Sequence, residues 1–227
     1  MQGSLAPMRA CAMASGMSER FTILLAGDLT VTDRLKAQID GGRLIVADGG
    51  MAHAGALGIV PELWIGDFDS SDERLMAQYP DVPRQTHPPA KDTTDGELAI
   101  QEVMAMGARE IVLAGGLGGQ MDHAFAHLML LLKAHARGLK VMMTSGHEEA
   151  WPLIDDAVEL DLPAGTRLSV LPVTDLIGLS ISGVRWPLEE RDVVLGSTLT
   201  LSNEVTASPA RVNVVKGMGI VLVYPPA

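Results

Sequence analysis

What most constrains this chain is a series of short runs that are apolar at almost every position, with helix-like segments between them. The runs are Phe21-Thr-Ile-Leu-Leu25, Arg43-Leu-Ile-Val-Ala47, Leu63-Trp-Ile65 and Ile111-Val-Leu-Ala114. Strands of that kind are buried on both faces, which suits a parallel sheet covered by helices on each side. The connecting segments fit such crossovers. Thr32 to Ile39, Met51 to Leu57, Ser71 to Gln78, Thr94 to Met106 and His123 to Ala136 read as helical, and Lys140 to Thr144 supplies a further strand.

After Glu149 the pattern changes to short alternating runs broken by Gly, Pro and Asp. Arg167 to Leu171, Leu176 to Ile181, Ser197 to Leu201, Ala210 to Val215 and Ile220 to Tyr224 read as antiparallel strands of a sandwich or barrel. A boundary is expected near His147 to Trp151, dividing an α/β domain over 20–147 from a small all-β domain over 148–227. Residues 1–19, rich in Met, Ala, Ser and Gly, read as a disordered extension in which Met17 offers a second start.

The charge balance narrows the partners. Seventeen basic against 28 acidic residues give a net charge of −11, which repels a nucleic-acid backbone and favours a cationic ligand. An anionic substrate would need a metal or a local cluster of donors. The single cysteine, Cys11, forms no internal disulfide, so a cytosolic setting is the default expectation. No apolar run approaches the roughly 20 residues that cross a bilayer.

The chemistry-bearing residues stand where the strands stop. Asp48-Gly49-Gly50 follows one run and Gly66-Asp67-Phe68-Asp69-Ser70 another. The carboxyl ends of parallel strands form the ligand crevice of α/β sheets, and acids gathered there repel one another unless a cation lies between them. Carboxylates suit Mg²⁺, which binds a few of them together with substrate phosphates. Taken singly, each motif reads as a turn or helix cap in preference to a metal site. Lys91-Asp92-Thr93-Thr94-Asp95-Gly96-Glu97 opens a helix that Thr94 or Asp92 would cap. Gly115-Gly116-Leu117-Gly118-Gly119-Gln120-Met121-Asp122-His123 links a buried strand to another helix. Its glycines let backbone amides approach a phosphate beside a helix N-terminus, but it matches neither the Walker A nor the dinucleotide fingerprint.

Together these segments resemble the thiamine pyrophosphokinase family. The resemblance rests on Ala47 to Gly50, Ile65 to Ser70, Lys91 to Asp95, Gly115 to Gly119 with Asp122-His123, Gly183 to Leu188, and Ser202-Asn203-Glu204. It implies a Rossmann-like nucleotide-binding domain followed by a β-sandwich for thiamine binding and dimerisation, and a homodimer with shared active sites. The implied reaction moves the diphosphate of ATP to the hydroxyl of thiamine with Mg²⁺, releasing AMP. Two positions depart from the family pattern. Gln120 stands where Arg is usual, removing a permanent charge and a forked donor, and Ala52 stands where Asn or Asp is common.

On that basis Asp67 and Asp69, with Asp48 and Asp95, are the expected metal ligands. Asp92 or Asp95 would accept the hydroxyl proton, and either could instead be a water-mediated ligand. Asp48, Gly49, Gly50, Thr94, Gly115, Gly116, Gly118, Gly119 and Gln120 are expected around the nucleotide. Lys91 either neutralises phosphate or is solvated, and Asp122 either binds nucleotide or caps its helix. The resemblance assigns Trp186, Ser202 and Asn203 to the thiamine pocket; by themselves they read as packing and turn residues. A metal-dependent hydrolase and a non-catalytic sensor are the competing expectations. His53, His123, His127 and His135 read as ordinary helix-face residues, and Met104, Met106, Met129, Met142 and Met143 as core filling.

Overall fold

The computed structural model describes residues 19–68, 73–87 and 93–226. Its first half contains β1 (Arg20–Leu24), α1 (Asp33–Ile39), β2 (Arg43–Ala47), a 3-10 helix (Asp48–His53) leading into α2 (Ala54–Leu57), and β3 (Leu63–Gly66). It continues with α3 (Glu73–Gln78), β4 (Arg84–Thr86), α4 (Asp95–Ala105), β5 (Glu110–Ala114), α5 (Met121–Ala136) and β6 (Lys140–Thr144). The six strands are parallel, in the order β6-β5-β1-β2-β3-β4. The order reverses between β1 and β5, and such a switch point opens a crevice at the carboxyl ends of the strands.

Alternate residues of these apolar runs serve opposite faces, as the two-residue strand period requires. Ile23, Ile45, Ile65, Ile111 and Leu113 pack with Ala99, Ile100 and Val103 of α4 and Leu131 of α5. Leu24, Val46, Trp64, Val112 and Ala114 pack on the other side with Leu35 and Ile39 of α1 and with Met51. Both faces are therefore dry, which explains why the runs show little polar alternation.

The second half is entirely strands: β7 (Glu149–Ile154), β8 (Ala157–Leu160), β9 (Arg167–Pro172), β10 (Leu176–Ser182), β11 (Leu188–Val193), β12 (Asn203–Glu204), β13 (Ala210–Asn213) and β14 (Met218–Tyr224). β7 pairs antiparallel with β6, so the main sheet continues as β12-β9-β14-β7 to ten strands. The other four form a separate antiparallel sheet, β11-β10-β13-β8. Leu153, Leu168, Val170, Val221 and Val223 of the large sheet meet Leu160, Leu179, Ile181 and Val212 of the small one. This is a core packed between two sheets, and the chain is an α/β fold carrying a β-sandwich. The change of pattern near His147 to Trp151 falls on the β6–β7 hairpin, through which the sheet is continuous.

Two expectations need correction. Ser197 to Leu201 is not a strand: Leu199 and Leu201 are exposed, and the segment turns on hydrogen bonds from Leu201 N–H to the Thr198 carbonyl and from Leu199 N–H to Ser197 Oγ. Ser197 satisfies its backbone locally, while Thr200 reaches β9, its carbonyl accepting from Val170 N–H at 3.0 Å and its Oγ1 donating to the Val170 carbonyl at 2.6 Å. Met106 ends α4 at the surface and fills no core.

Candidate active site

Three acidic side chains converge at the carboxyl ends of β2 and β3 and the start of α4. Asp48, Asp67 and Asp95 each offer a carboxylate oxygen, and these oxygens lie within 4.8 Å of one another. All three residues are half-buried. At that separation each charged pair repels by about 3 kcal/mol for an effective dielectric constant near 20. Two oxygens on one Mg²⁺ stand at most about 4.2 Å apart, twice a bond of ~2.1 Å. The donor set and its spacing therefore fit a single hard cation after a slight side-chain adjustment or through water.

The backbone that holds these acids is closely built. Asp48 has a positive φ of 41°, and its carbonyl oxygen accepts a hydrogen bond from Trp64 Nε1 at 2.9 Å. Trp64 is fully buried, and its ring meets the edge of Phe68 with centroids 5.1 Å apart. One side chain thus braces both acid-bearing turns. Gly50 packs directly on β1, where an added Cβ would stand 2.3 Å from the Leu24 carbonyl oxygen, so only glycine fits. Gly49 faces Ala26, placing the turn beside the segment that follows β1. Thr94 caps α4 by accepting the Glu97 N–H at 3.3 Å, which presents Asp95 at the first helical position.

The glycine loop between β5 and α5 flanks this cluster. Gly115 has φ 80° and lies so close to β1 that a Cβ would meet the Leu25 carbonyl oxygen at 2.5 Å. Three consecutive loop carbonyls are engaged: Gly115 by Gly27 N–H at 2.8 Å, Gly116 by His127 Nδ1 at 3.0 Å, and Leu117 by Asp28 N–H at 3.0 Å. Gly118 and Gly119 line a cavity of about 290 Å³ with Gly27, Gln120, His123 and His127. A second cavity of about 250 Å³ runs from Gly118 to Asp28, Ser145 and His147. Larger cavities, about 440 and 520 Å³, lie around Trp151 and Lys140 at the start of β6, with neither the acid cluster nor the glycine loop in their walls.

The remaining sequence expectations sort clearly. Gln120 is the exposed N-cap of α5 and makes no side-chain capping bond. Asp122 is exposed and its carboxylate accepts the N–H of His123, the next residue, at 2.9 Å. Asp69, Lys91 and Asp92 lie outside the described residues. Trp186, Ser202 and Asn203 come together at β12, on the far edge of the ten-stranded sheet. Asn203 is buried, its Oδ1 accepts from Trp186 N at 3.1 Å and its Nδ2 donates to Trp186 O at 2.8 Å. The Trp186 ring is 56% exposed and lies over Arg185, 5.1 Å from guanidinium to centroid. It borders a cavity of about 280 Å³ with Ile181, Leu188, Leu199 and Leu201. Ser202, at φ 59°, donates its backbone N–H to Ser169 Oγ at 2.9 Å.

Several residues at the crevice escaped the sequence reading. His53 Nε2 bonds the Gly27 carbonyl at 2.9 Å, and His127 holds Gly116, so these two helix-face histidines fasten the loops. Burial holds the His127 imidazole below its ordinary range, with nearby His123 adding to the effect and the Gly116 bond opposing it. Asp28 lies in the segment after β1, which ends at Leu24, and its carboxylate accepts the Gly119 N–H of the glycine loop at 3.4 Å. Glu149, buried at the β6–β7 hairpin, accepts from Arg34, from Gln38 at 2.6 Å and from Trp151 at 3.1 Å.

Comparison with known proteins agrees along the chain. Residues 40–143 match the thiamin pyrophosphokinase catalytic domain, and residues 156–218 match the thiamin pyrophosphokinase vitamin B1 binding domain. The thiamine pyrophosphokinase of Bacillus subtilis is 29% identical over 170 residues, covering 73% of this chain and 79% of that protein. A crystal structure of thiamine pyrophosphokinase from Bacillus subtilis superposes with a TM-score of 0.80 at 25% identity, over 92% of this chain and 100% of the other. The thiamin pyrophosphokinase structure from Geobacillus thermodenitrificans shares the fold, with a TM-score of 0.77 at 23% identity over 92% and 98% of the two chains. With both of the family's domains matched in order and the fold shared throughout, this chain belongs to the thiamine pyrophosphokinase family.

Proposed function

We propose that this chain transfers the diphosphate of ATP to the hydroxyl of thiamine in a Mg²⁺-dependent reaction. The observation that carries the reading is the convergence of Asp48, Asp67 and Asp95 beside a glycine loop at the sheet's switch point. Asp48, Asp67 and Asp95 are the proposed metal ligands, joined by Asp69 from the same strand-end motif. When bound there, Mg²⁺ would offset the charge of the triphosphate and of the carboxylates together.

The protein's own groups then position the reactants. Gly49, Gly50, Gly115, Gly116, Gly118 and Gly119 let the backbone approach the nucleotide closely, although the Gly115 N–H is taken by the Thr144 carbonyl at 2.9 Å and the Gly119 N–H by Asp28 Oδ2 at 3.4 Å, with Thr94, Lys91, Gln120 and Asp122 around them. The thiamine hydroxyl oxygen attacks the β-phosphorus, forming the new O–P bond as the bond from the β-phosphorus to the α,β-bridging oxygen breaks and AMP leaves. Asp95 or Asp92 takes the hydroxyl proton. Alignment and charge complementarity supply most of the acceleration in such transfers.

The division of labour follows the fold, with residues 20–147 as the nucleotide-binding catalytic part and 148–227 as the thiamine-binding and dimerisation part. The exposed indole of Trp186 offers a platform for the cationic thiazolium, with Ser202 and Asn203 beside it. β12 lies seven strand steps from β2; at about 4.8 Å each, that is on the order of 30 Å. A thiamine held at Trp186 thus reaches ATP at the acids of a partner copy, which supports a homodimer with shared sites. A reducing, cytosolic setting suits a chain whose one cysteine is Cys11.

Product analysis tests the reading. Purified protein with thiamine, ATP and Mg²⁺ should yield AMP and thiamine diphosphate in equal amounts. Phosphate products without a need for thiamine would indicate a hydrolase, and binding without turnover a sensor.

A further inference from the structure

The carbonyl oxygens of Gly115, Gly116 and Leu117 are all engaged, but not by equivalent partners. Two accept from backbone N–H groups of Gly27 and Asp28, bonds that the chain trace itself provides. The third, on Gly116, accepts from the side chain of His127. A carbonyl oxygen can only accept, so Nδ1 of His127 carries the proton in this bond. Gly96 of α4 faces the ring: a Cβ there would lie 3.7 Å from His127 Nε2, an ordinary packing distance. His127 therefore stands between the glycine loop and the first turn of α4, one residue from Asp95.

We propose that His127 is a positioning residue that fixes the Gly116–Leu117 peptide so that the loop meets ATP with N–H groups and not with a carbonyl oxygen. The physical reason lies in the planar trans peptide, whose C=O and N–H point in opposite directions. Fixing the oxygen on His127 fixes the Leu117 N–H as well. Gly116 has no Cβ to oppose rotation of that peptide, so without the His127 bond it can turn and bring a carbonyl dipole toward an anionic phosphate. The Gly115 N–H is taken by the Thr144 carbonyl at 2.9 Å and the Gly119 N–H by Asp28 Oδ2 at 3.4 Å, so contact with an anion falls to the amides between them, and one reversed carbonyl there weakens it. The effect acts alike on bound ATP and on the transition state, so it belongs to ATP binding more than to the chemical step.

This deepens the kinase reading and rests on it for the identity of the anion. The test compares wild type, His127→Leu and His127→Asn, because an Asn amide nitrogen sits close to where Nδ1 lies and still donates. Mg·ATP affinity by calorimetry is measured alongside KM and kcat with thiamine. Removing a bond worth about 1.4 kcal/mol corresponds to a tenfold change. His127→Leu should therefore weaken ATP binding and raise its KM roughly tenfold, with kcat within about twofold and the thiamine KM unchanged, and His127→Asn should restore ATP binding. Wild-type ATP affinity in His127→Leu would overturn the proposal, as would a His127→Asn variant that folds yet binds as weakly as His127→Leu. If His127→Leu does not fold, His127→Asn alone decides: near-wild-type ATP affinity supports the role and a tenfold loss overturns it. Calorimetry needs no turnover, so an absence of thiamine diphosphate would sink the kinase reading while leaving the ATP-affinity comparison to judge His127.

Discussion

Trp64 donates its indole N–H to the carbonyl oxygen of Asp48 across 2.9 Å, tying the buried core of the sheet to a backbone that bears a cluster acid at positive φ. The ring sits within the face formed by Leu24, Val46 and Val112. The position of the Asp48 carboxylate is in this way a product of core packing. Trp64→Phe keeps most of the ring and loses the donor. It should cost about 1–2 kcal/mol in urea unfolding, the usual penalty for orphaning a buried acceptor. Catalytic efficiency should fall further than stability implies, by about tenfold, because a ligand displaced by a fraction of an ångström misplaces the phosphates.

The acid cluster makes opposing predictions for stability and activity. Asp67→Asn and Asp95→Asn are nearly isosteric, and each removes one charge from a mutually repelling set. Thermal melts of the metal-free protein should show a midpoint unchanged or raised by a few degrees, since about 1 kcal/mol moves the midpoint of a domain this size by 2–4 °C. Turnover should drop at least a hundredfold in the same variants. A lowered midpoint would mean that the carboxylates stabilise the fold through other contacts.

Asn203 and Trp186 make a separable pair. The Asn203 amide closes on both the N–H and the C=O of Trp186, which holds the indole at the mouth of its cavity. Asn203→Asp keeps the acceptor but sets a carboxylate against the Trp186 carbonyl oxygen. It should raise the KM for thiamine by about an order of magnitude, in keeping with loss of a buried bond, while leaving Mg·ATP affinity unchanged. Steady-state kinetics with each substrate varied in turn checks the separation.

The depressed His127 imidazole gives stability a pH dependence of known sign. Burial is its first cause, and His123 on the same helix adds to it; Asp95 and Glu97 flank the facing Gly96 on α4. The unfolded chain takes up this proton near 6.5 while the folded chain resists, so the unfolded state binds more protons there. Stability then rises with pH across the window from the folded value up to about 6.5 and is lost on going down through it. Urea unfolding of wild type and His127→Asn should diverge in slope between neutral and mildly acidic pH, with wild type falling more steeply.

The parallel core was legible because a dry sheet demands apolar residues at consecutive positions, and Phe21 to Leu25 and Ile111 to Ala114 supply them. β4 was not, since Arg84-Gln85-Thr86 is polar throughout and holds an edge by backbone pairing and polar side-chain bonds, Arg84 to the Met76 carbonyl and Gln85 to Glu102. β11 escaped for a related reason: Glu189, Glu190 and Arg191 charge the edge of the small sheet, which discourages pairing with another chain and hides the strand pattern. In the site, Asp48 and Asp67 were visible because strand ends name them, and Asp95 because a helix-opening motif does. His53, His127 and Trp64 were not, because each acts through one bond to a distant carbonyl, and no spacing along the chain records which carbonyl a side chain will meet.

The most direct test is the affinity of ATP titrated by calorimetry with Mg²⁺ present and with Mg²⁺ removed by chelation, in wild type and in Asp67→Asn. If the clustered carboxylates tolerate a triphosphate only through a shared cation, wild type should bind ATP at least tenfold more tightly with Mg²⁺, and Asp67→Asn should lose most of that gain. Equal affinity with and without Mg²⁺, or an undiminished Mg²⁺ effect in Asp67→Asn, would contradict it.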